Sequence, residues 1–269
     1  KGSWLSLWLH HLGAIVTGVA LDPPTNPSLF NAASINDLVA DHRVDIRKYR
    51  DLQSVIKNSE PDFVFHLAAQ PLVRRSYAEP IETYQTNVMG TVHLLEALRP
   101  MKKPCFAVLI TSDKCYQNKE WVWGYREEDS LGGNDPYSSS KACAELVTRS
   151  YREVFFNSSN PNFQNTAIAT VRAGNVIGGG DWGEDRIIPD CVRAWSKGEK
   201  APLRNPQATR PWQHVLEPLS GYLNLAMELS QKTQLHGEPF NFGPPAHQNH
   251  TVLELVQEMS KYWDKVRWK

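Results

Sequence analysis

The feature that most limits how this chain can fold is an alternation of short apolar runs with longer amphipathic segments. Asp62 to Ala69, Phe106 to Thr111 and Thr166 to Arg172 read as buried strands, whereas Tyr49 to Lys57, Ile81 to Leu98 and Pro136 to Phe156 carry apolar residues at helical spacing. Strands separated by helices of this length pack as right-handed βαβ units on a parallel sheet. The expected class is α/β with a doubly wound sheet. After Arg172 the pattern loosens into Gly- and Pro-rich sequence through Pro211, with one helix near Ile188 to Lys197. A smaller lobe is expected over 174–214 and 244–269. A helix at Leu219 to Leu229 and a strand at Phe240 to Phe242 bring 215–243 back to the first unit, 1–173. A last helix is expected at Val252 to Tyr262.

The opening segment invites a different reading. Gly2 to Leu21 contains no charged residue, a length that could span a bilayer. His10-His11 at its middle, Gly13 and Gly18 within it, and Asp22-Pro23-Pro24 at its end argue against a span. The histidine pair and the lack of a small-x-small site argue against a signal-peptide core. Helix, turn and strand fit better: Ser3 as N-cap, Leu5, Trp8, Leu9 and Leu12 on one face, Gly13 as terminator, then a strand over Ala14 to Leu21. A doubly wound unit needs a strand before this helix and the sequence holds none, so the natural protein is expected to begin before Lys1. The triplets Asn157-Ser158-Ser159 and Asn249-His250-Thr251 read as chance rather than as signs of secretion.

Charge narrows the partners. Lys plus Arg number 29 and Asp plus Glu 29, giving zero net charge. That removes the global electrostatic case for nucleic acid or an anionic membrane. A hydrophobic share of 41% excludes a disordered chain. The four cysteines form no C-x-x-C pair and no metal-ligand spacing, so a reducing cytoplasm is the default compartment and no metal is expected.

In doubly wound sheets ligands sit at the carboxyl ends of strands. Asp22 ends one such strand, where its carboxylate suits both ribose hydroxyls of an adenosine and favours NAD over NADP; an ordinary turn aspartate before Pro23 is the alternative. Asp45-Ile46 is placed to flank an adenine. Leu67, Ala68 and Ala69 are small enough to let backbone approach a cofactor. The usual G-x-G-x-x-G is absent, and Gly2-Ser3 at the head of the first helix is its only possible remnant. Tyr137 and Lys141 share a helix face at i, i+4. A neighbouring cation favours phenolate, so the Tyr137 pKa is expected to be lowered toward neutrality. Ser112-Asp113-Lys114 ends the preceding strand and brings a hydroxyl, an acid and a base to the same crevice; an exposed Asp–Lys pair is the alternative there.

With these residues in hand the chain resembles the extended short-chain dehydrogenases/reductases that act on nucleotide sugars. The resemblance runs from Gly2 through Asp22, Asp45-Ile46, His66 to Gln70, Thr86-Asn87-Val88-Met89-Gly90-Thr91 and Tyr137 to Lys141. It continues into Arg172 to Gly178 and Arg210 to Val215. Ala20 to Thr25, Ser112 to Tyr116 and Gly178 to Trp182 look like the 4,6-dehydratase branch that acts on CDP-glucose. Where many of these dehydratases carry Thr-Asp-Glu, this chain has Ser112-Asp113-Lys114, a departure typical of that branch. The resemblance implies a Rossmann-like fold with a C-terminal substrate lobe, bound NAD, a CDP-glucose substrate, a homodimer or homotetramer, and a place in deoxysugar and lipopolysaccharide biosynthesis.

For the residues it implies Thr86, Tyr137 and Lys141 at the cofactor, and Asn175, Arg186, Arg204 and Arg210 at the nucleotide sugar. Tyr137 with Lys141 and Ser112 would take the C4 hydroxyl proton, Lys114 the C5 proton, and Asp113 would protonate the departing C6 hydroxyl. Lys114 must then be neutral and Asp113 protonated, a reversal that burial is expected to favour. A 4-epimerase on the same fold needs Tyr137 and Lys141 but has no use for Asp113-Lys114. A non-catalytic NAD-binding regulator would need none of the four.

Overall fold

The computed structural model describes residues 1–157, 166–264 and 266–269, so the second and third positions of the Asn157 triplet lie outside the described residues. The chain opens with α1 (Gly2–His11), β1 (Thr17–Ala20), a short α2 (Leu29–Ala32), β2 (Ala40–Arg43), α3 (Tyr49–Ser59) and β3 (Phe63–His66). Next come α4 (Val73–Ala78), α5 (Pro80–Tyr84) and, through a π-helical turn at Gln85–Met89, α6 (Gly90–Leu98). Then follow β4 (Cys105–Ile110), α7 (Pro136–Val154) and β5 (Thr166–Ala173).

Four parallel strands run in the order β3-β4-β5-β9, where β9 is Pro239–Phe242, and β1 pairs with β2 in parallel as a separate two-stranded piece. The doubly wound sheet is thus present in two pieces, with no pairing between β1 and β3 among the described residues. Period-two alternation explains the layers. On β4, Val108 and Ile110 face one side with Leu5 of α1, while Cys105, Ala107 and Leu109 face the other with Leu52, Leu94 and Leu95 of α3 and α6. A helical layer on each face is the architecture that parallel strands require.

Beyond β5 the chain forms β6 (Val176–Ile177), α8 (Ile187–Ser196), β7 (Thr209–Arg210) and β8 (Gln213–His214) before α9 (Leu216–Gln231) crosses back over the sheet to deliver β9. The end, β10 (His250–Thr251) and α10 (Val252–Ser260), packs on α8 around Cys191, Trp195, Leu203 and Val256. A full capping box at Thr251 and Glu254 starts α10. The cap expected at Ser3 is not formed: α1 begins two residues earlier, with Lys1 at the N-cap position and no side-chain cap. The strands expected at Ala14–Leu21 and Asp62–Ala69 shorten to β1 and β3.

Close packing of α9 on β9 sets where the last strand lies. A Cβ on Gly221 would come within 2.2 Å of the Phe242 ring. Gly221→Val is expected to lower stability by about 1–3 kcal/mol, read as an earlier urea midpoint.

Candidate active site

Three structural elements converge at the carboxyl ends of β4 and β5. Ser112 lies two residues beyond β4 and caps the turn Asp113–Cys115, its Oγ accepting from the Lys114 N–H at 3.2 Å. The same hydroxyl donates to Asp113 Oδ1 at 3.1 Å, and Lys114 Nζ donates to Asp113 Oδ2 at 2.7 Å. Helix α7 starts beside this turn because Asp135 accepts from the Ser138 N–H at 3.0 Å and Pro136 occupies the first helical position. Tyr137 thereby enters the crevice in hydrogen-bond contact with Ser112, and one turn later Lys141 is buried with Nζ 3.4 Å from the Ile110 carbonyl. From the far side Gly174 closes in. A Cβ there would lie 2.9 Å from Pro211 and 3.7 Å from Asp113 Oδ2, so Arg210-Pro211 abuts the Asp113 turn.

The electrostatics depart from two expectations. Burial pushes the Tyr137 phenol up to about 12; the Ser112 hydrogen bond and the Arg186 charge pull it back only in part. Lys141 is not among the groups that lower it, and burial and the like charge of Lys1 bring the Lys141 pKa itself down to about 8. The second departure is at the Asp–Lys pair. Its side chains remain 29% and 43% exposed, so the burial expected there is not present. What the geometry provides instead is a formed hydrogen bond, along which one proton moving from Lys114 to Asp113 gives the neutral pair.

Other expected residues divide. Asp22 follows β1 with its side chain 91% exposed. Leu67 and Ala68 are half-buried against the two core faces. Ala69 follows them, Thr86 sits half-buried in the π-helical turn, and Gly2 and Ser3 form the first turn of α1. Asp45 is engaged by Arg47 at 2.6 Å and Ile46 is buried under Gly90, so neither side chain is presented freely. Asn175 accepts from Gln213 N–H at 3.0 Å through its carbonyl and joins β6 to β8. Arg186 precedes α8 beside Asp181, where its charge reaches Tyr137. Arg204 goes elsewhere: with Arg74 it grips Asp185 at the wall of a cavity of about 580 Å³ that none of Tyr137, Lys141, Asp113 or Lys114 lines.

A buried polar network beneath the crevice was not anticipated. Glu145 and Arg172 pair at 2.8 Å with side chains 4% and 3% exposed. Thr111 and Thr170 donate to the Glu145 carboxylate, and Arg172 Nη1 donates to Tyr116 Oη at 2.8 Å and to the Glu127 carbonyl at 2.9 Å. Tyr116 in turn donates to Asn241 of β9 at 2.7 Å. Asn87, swung inward by the π-helical turn, accepts from Gln70 N–H at 2.8 Å and donates to Ser140 Oγ at 2.9 Å. The spacing Tyr137, Lys141, Glu145 is a continued i, i+4 ladder, so Glu145 was within reach of the sequence.

Comparison with known proteins places this geometry. A family model for GDP-mannose 4,6 dehydratase matches residues 1–259. The chain belongs to that family. It is 54% identical over 269 residues to a CDP-glucose 4,6-dehydratase of Salmonella typhimurium, covering all of this chain and 75% of that one. Among solved structures, a dTDP-glucose 4,6-dehydratase of Bacillus anthracis in complex with NAD superposes with TM-score 0.76 at 25% identity, covering 97% of this chain and 76% of the other. A UDP-glucose 4-epimerase of Thermotoga maritima shares the fold, with TM-score 0.82 at 21% identity over 100% of this chain and 82% of its own. The family therefore joins a Rossmann-like fold to nucleotide-sugar chemistry. Among the described residues no helix is long and apolar enough to cross a membrane.

Two outcomes follow from the buried groups. Glu145→Ala, which strands the Arg172 charge, is expected to cost about 3–5 kcal/mol, whereas replacing both residues by methionine restores much of the loss in urea unfolding. His66 is held neutral, its pKa brought down to about 3 by burial and the Lys141 charge. The unfolded chain takes up that proton first, so stability present above the ordinary histidine value is lost as pH falls from about 6.5 toward 3. The urea midpoint should drop between pH 7 and pH 4.5, and His66→Gln should flatten that slope.

Proposed function

We propose that this chain is a hydro-lyase that converts CDP-D-glucose to CDP-4-keto-6-deoxy-D-glucose. The observation that carries the reading is the Asp113–Lys114 acid–base pair set beside Ser112, Tyr137 and Lys141 at one strand end. Its likeness to the Salmonella enzyme supports CDP-glucose as substrate.

The chain's donor set fits a dinucleotide. Asp22 is open to ribose hydroxyls, the first turn of α1 at Gly2-Ser3 has no side-chain cap, Leu67, Ala68 and Ala69 follow β3 directly, and Thr86 lies half-buried in the π-helical turn. With Tyr137 and Lys141, and with Asp45-Ile46 flanking the adenine, these residues would hold NAD. NAD, when bound, supplies the two-electron oxidation at C4 and returns the same electrons at C6, so the reaction has no net redox change.

The remaining steps are proton movements by the chain's own groups. Oxidation at C4 comes first because a C5–H alpha to a ketone is acidic, whereas one in the intact hexose is not. Tyr137, on one helix face with Lys141, takes the C4 hydroxyl proton, with Ser112 and the Arg186 charge favouring its phenolate form. Lys114, having passed a proton to Asp113 along their hydrogen bond, removes the C5 proton. Asp113 delivers its proton to the C6 oxygen, which leaves as water. Lys114 then returns a proton to C5. Arg210, with Asn175 and Arg186, meets the diphosphate, where a guanidinium forks onto phosphate oxygens. Arg204 is reserved for a contact farther along the nucleotide.

The sheet unit (1–173 with 215–243) would bind the cofactor and the lobe (174–214 with 244–269) the nucleotide. Apolar side chains exposed on the π-interrupted helix and on α7, among them Ile81 at 73% and Val154 at 56%, support a homodimer formed through those helices, doubled to a tetramer. The cysteines are free thiols, which suits a cytoplasmic location.

The test is mass spectrometry of the product with absorbance followed in parallel. CDP-glucose should lose one water with no net NADH formed. Retention of all atoms with C4 inverted would make the protein an epimerase and defeat the reading. Tyr137→Phe should lower kcat by about 10²- to 10⁴-fold. Lys114→Ala should abolish solvent-deuterium exchange at C5, and Asp113→Asn, which leaves Lys114 no acceptor for its proton, should slow that exchange as well as the loss of water.

A further inference from the structure

At the carboxyl ends of β1 and β2 the chain sets two carboxylates and one guanidinium within a few ångströms. Strand register places Ala20 beside Arg43, the last residue of β2. From there Arg43 reaches across to β1, where Nη1 donates to the Leu21 carbonyl at 2.7 Å. Residues i and i+2 of a strand share a face, so Asp41 lies on the same side. It accepts from Arg43 Nε at 3.0 Å and Nη2 at 2.6 Å through one oxygen. The ring of Phe30 covers the guanidinium at 4.3 Å, and Nε stands 3.9 Å from Asp22. The Asp41 side chain is only 20% exposed, against 91% for Asp22.

These two residue types have opposite preferences at such a corner. A carboxylate accepts both hydroxyls of an adenosine ribose, whereas an arginine accommodates a phosphate on its 2′ oxygen. The chain carries both, so the state of Arg43 decides. Asp41 neutralises its charge, Leu21 and Phe30 fix its orientation, and the Asp22 charge is left uncompensated. The corner therefore has a net charge of about −1, which repels a 2′-phosphate dianion.

We propose that Asp41 is a specificity-determining residue: by holding Arg43 in a two-point ion pair, it keeps the only guanidinium in this cluster from serving a 2′-phosphate and makes the site select NAD over NADP. The inference rests on the NAD reading above and deepens it. Asp41 acts through Arg43, without touching the dinucleotide itself.

The test measures dissociation constants for NAD+ and NADP+ by titration calorimetry, with no turnover required. Wild-type chain, Asp41→Asn, and Asp41→Asn combined with Arg43→Met are compared. Asn keeps the size and an acceptor for Arg43 but removes the charge. The ratio of the NADP+ to the NAD+ dissociation constant is expected to fall about tenfold in Asp41→Asn, as one unit charge facing a dianion in a wet site would give. That gain should shrink at high salt and vanish when Arg43→Met is added. A ratio unchanged by Asp41→Asn, with NAD+ still bound, overturns this inference alone. A gain that survives loss of Arg43 overturns it as well, since Asp41 would then act by another route. A chain that binds neither dinucleotide overturns the NAD reading and this inference with it.

Discussion

The ion pair between Glu145 and Arg172 is the constraint on which the candidate site depends. Burial opposes the Arg172 charge, and the Glu145 hydrogen bond and charge, with the bond to Tyr116, together outweigh it, holding the guanidinium more firmly protonated than usual. Two buried charges stabilise little by themselves, but removing either one strands the other in a medium that cannot solvate it. Their value here is positional. Glu145 lies on α7 two turns beyond Tyr137, Arg172 lies on β5, and the Thr111, Thr170, Tyr116 and Asn241 side chains extend the network to β4, the Asp113 turn and β9. Shifting α7 relative to the Asp113–Lys114 turn would break several buried hydrogen bonds together. The face of β5 turned toward α7 reflects this use, apolar at Ile168 and polar at Thr170 and Arg172 as it nears the carboxyl edge.

Above that platform the candidate reacting groups are held in unequal environments. Tyr137 and Lys141 are pushed by burial in the directions that disfavour charge, to about 12 and about 8. Asp113 and Lys114 stay partly exposed and bonded to each other. The two pairs suit different tasks. A desolvated phenol responds strongly to any positive charge brought into the crevice, whereas the Asp113–Lys114 hydrogen bond gives an acid and a base a direct path for one proton. The separation of tasks follows from the fold: one pair rides on a helix packed against the sheet, the other on a turn at its open edge.

Much of this was legible in the sequence. The alternation of strands and helices located β4, β5 and α7 to within two residues, because buried parallel strands and long helices carry strong apolar patterns. Tyr137 and Lys141 on one helix face followed from spacing alone. Three things did not follow. The direction of the Tyr137 shift depends on burial by distant elements, which spacing does not encode. The exposure of Asp113 and Lys114 depends on how far the turn projects. Arg204 finds Asp185 and Arg74 through tertiary packing. Glu145 is a different case, since its i, i+4 relation to Lys141 stood in the sequence and needed only Arg172 opposite to give it meaning.

The central claim is that one crevice oxidises C4, removes C5–H with the C6 hydroxyl, and reduces C6 without releasing the electrons. CDP-glucose carrying deuterium at C4 tests it most directly, with the product examined by NMR. The account predicts deuterium at C6 of a 4-keto-6-deoxy sugar. Deuterium retained at C4, or absent from a product that has lost water, would contradict it.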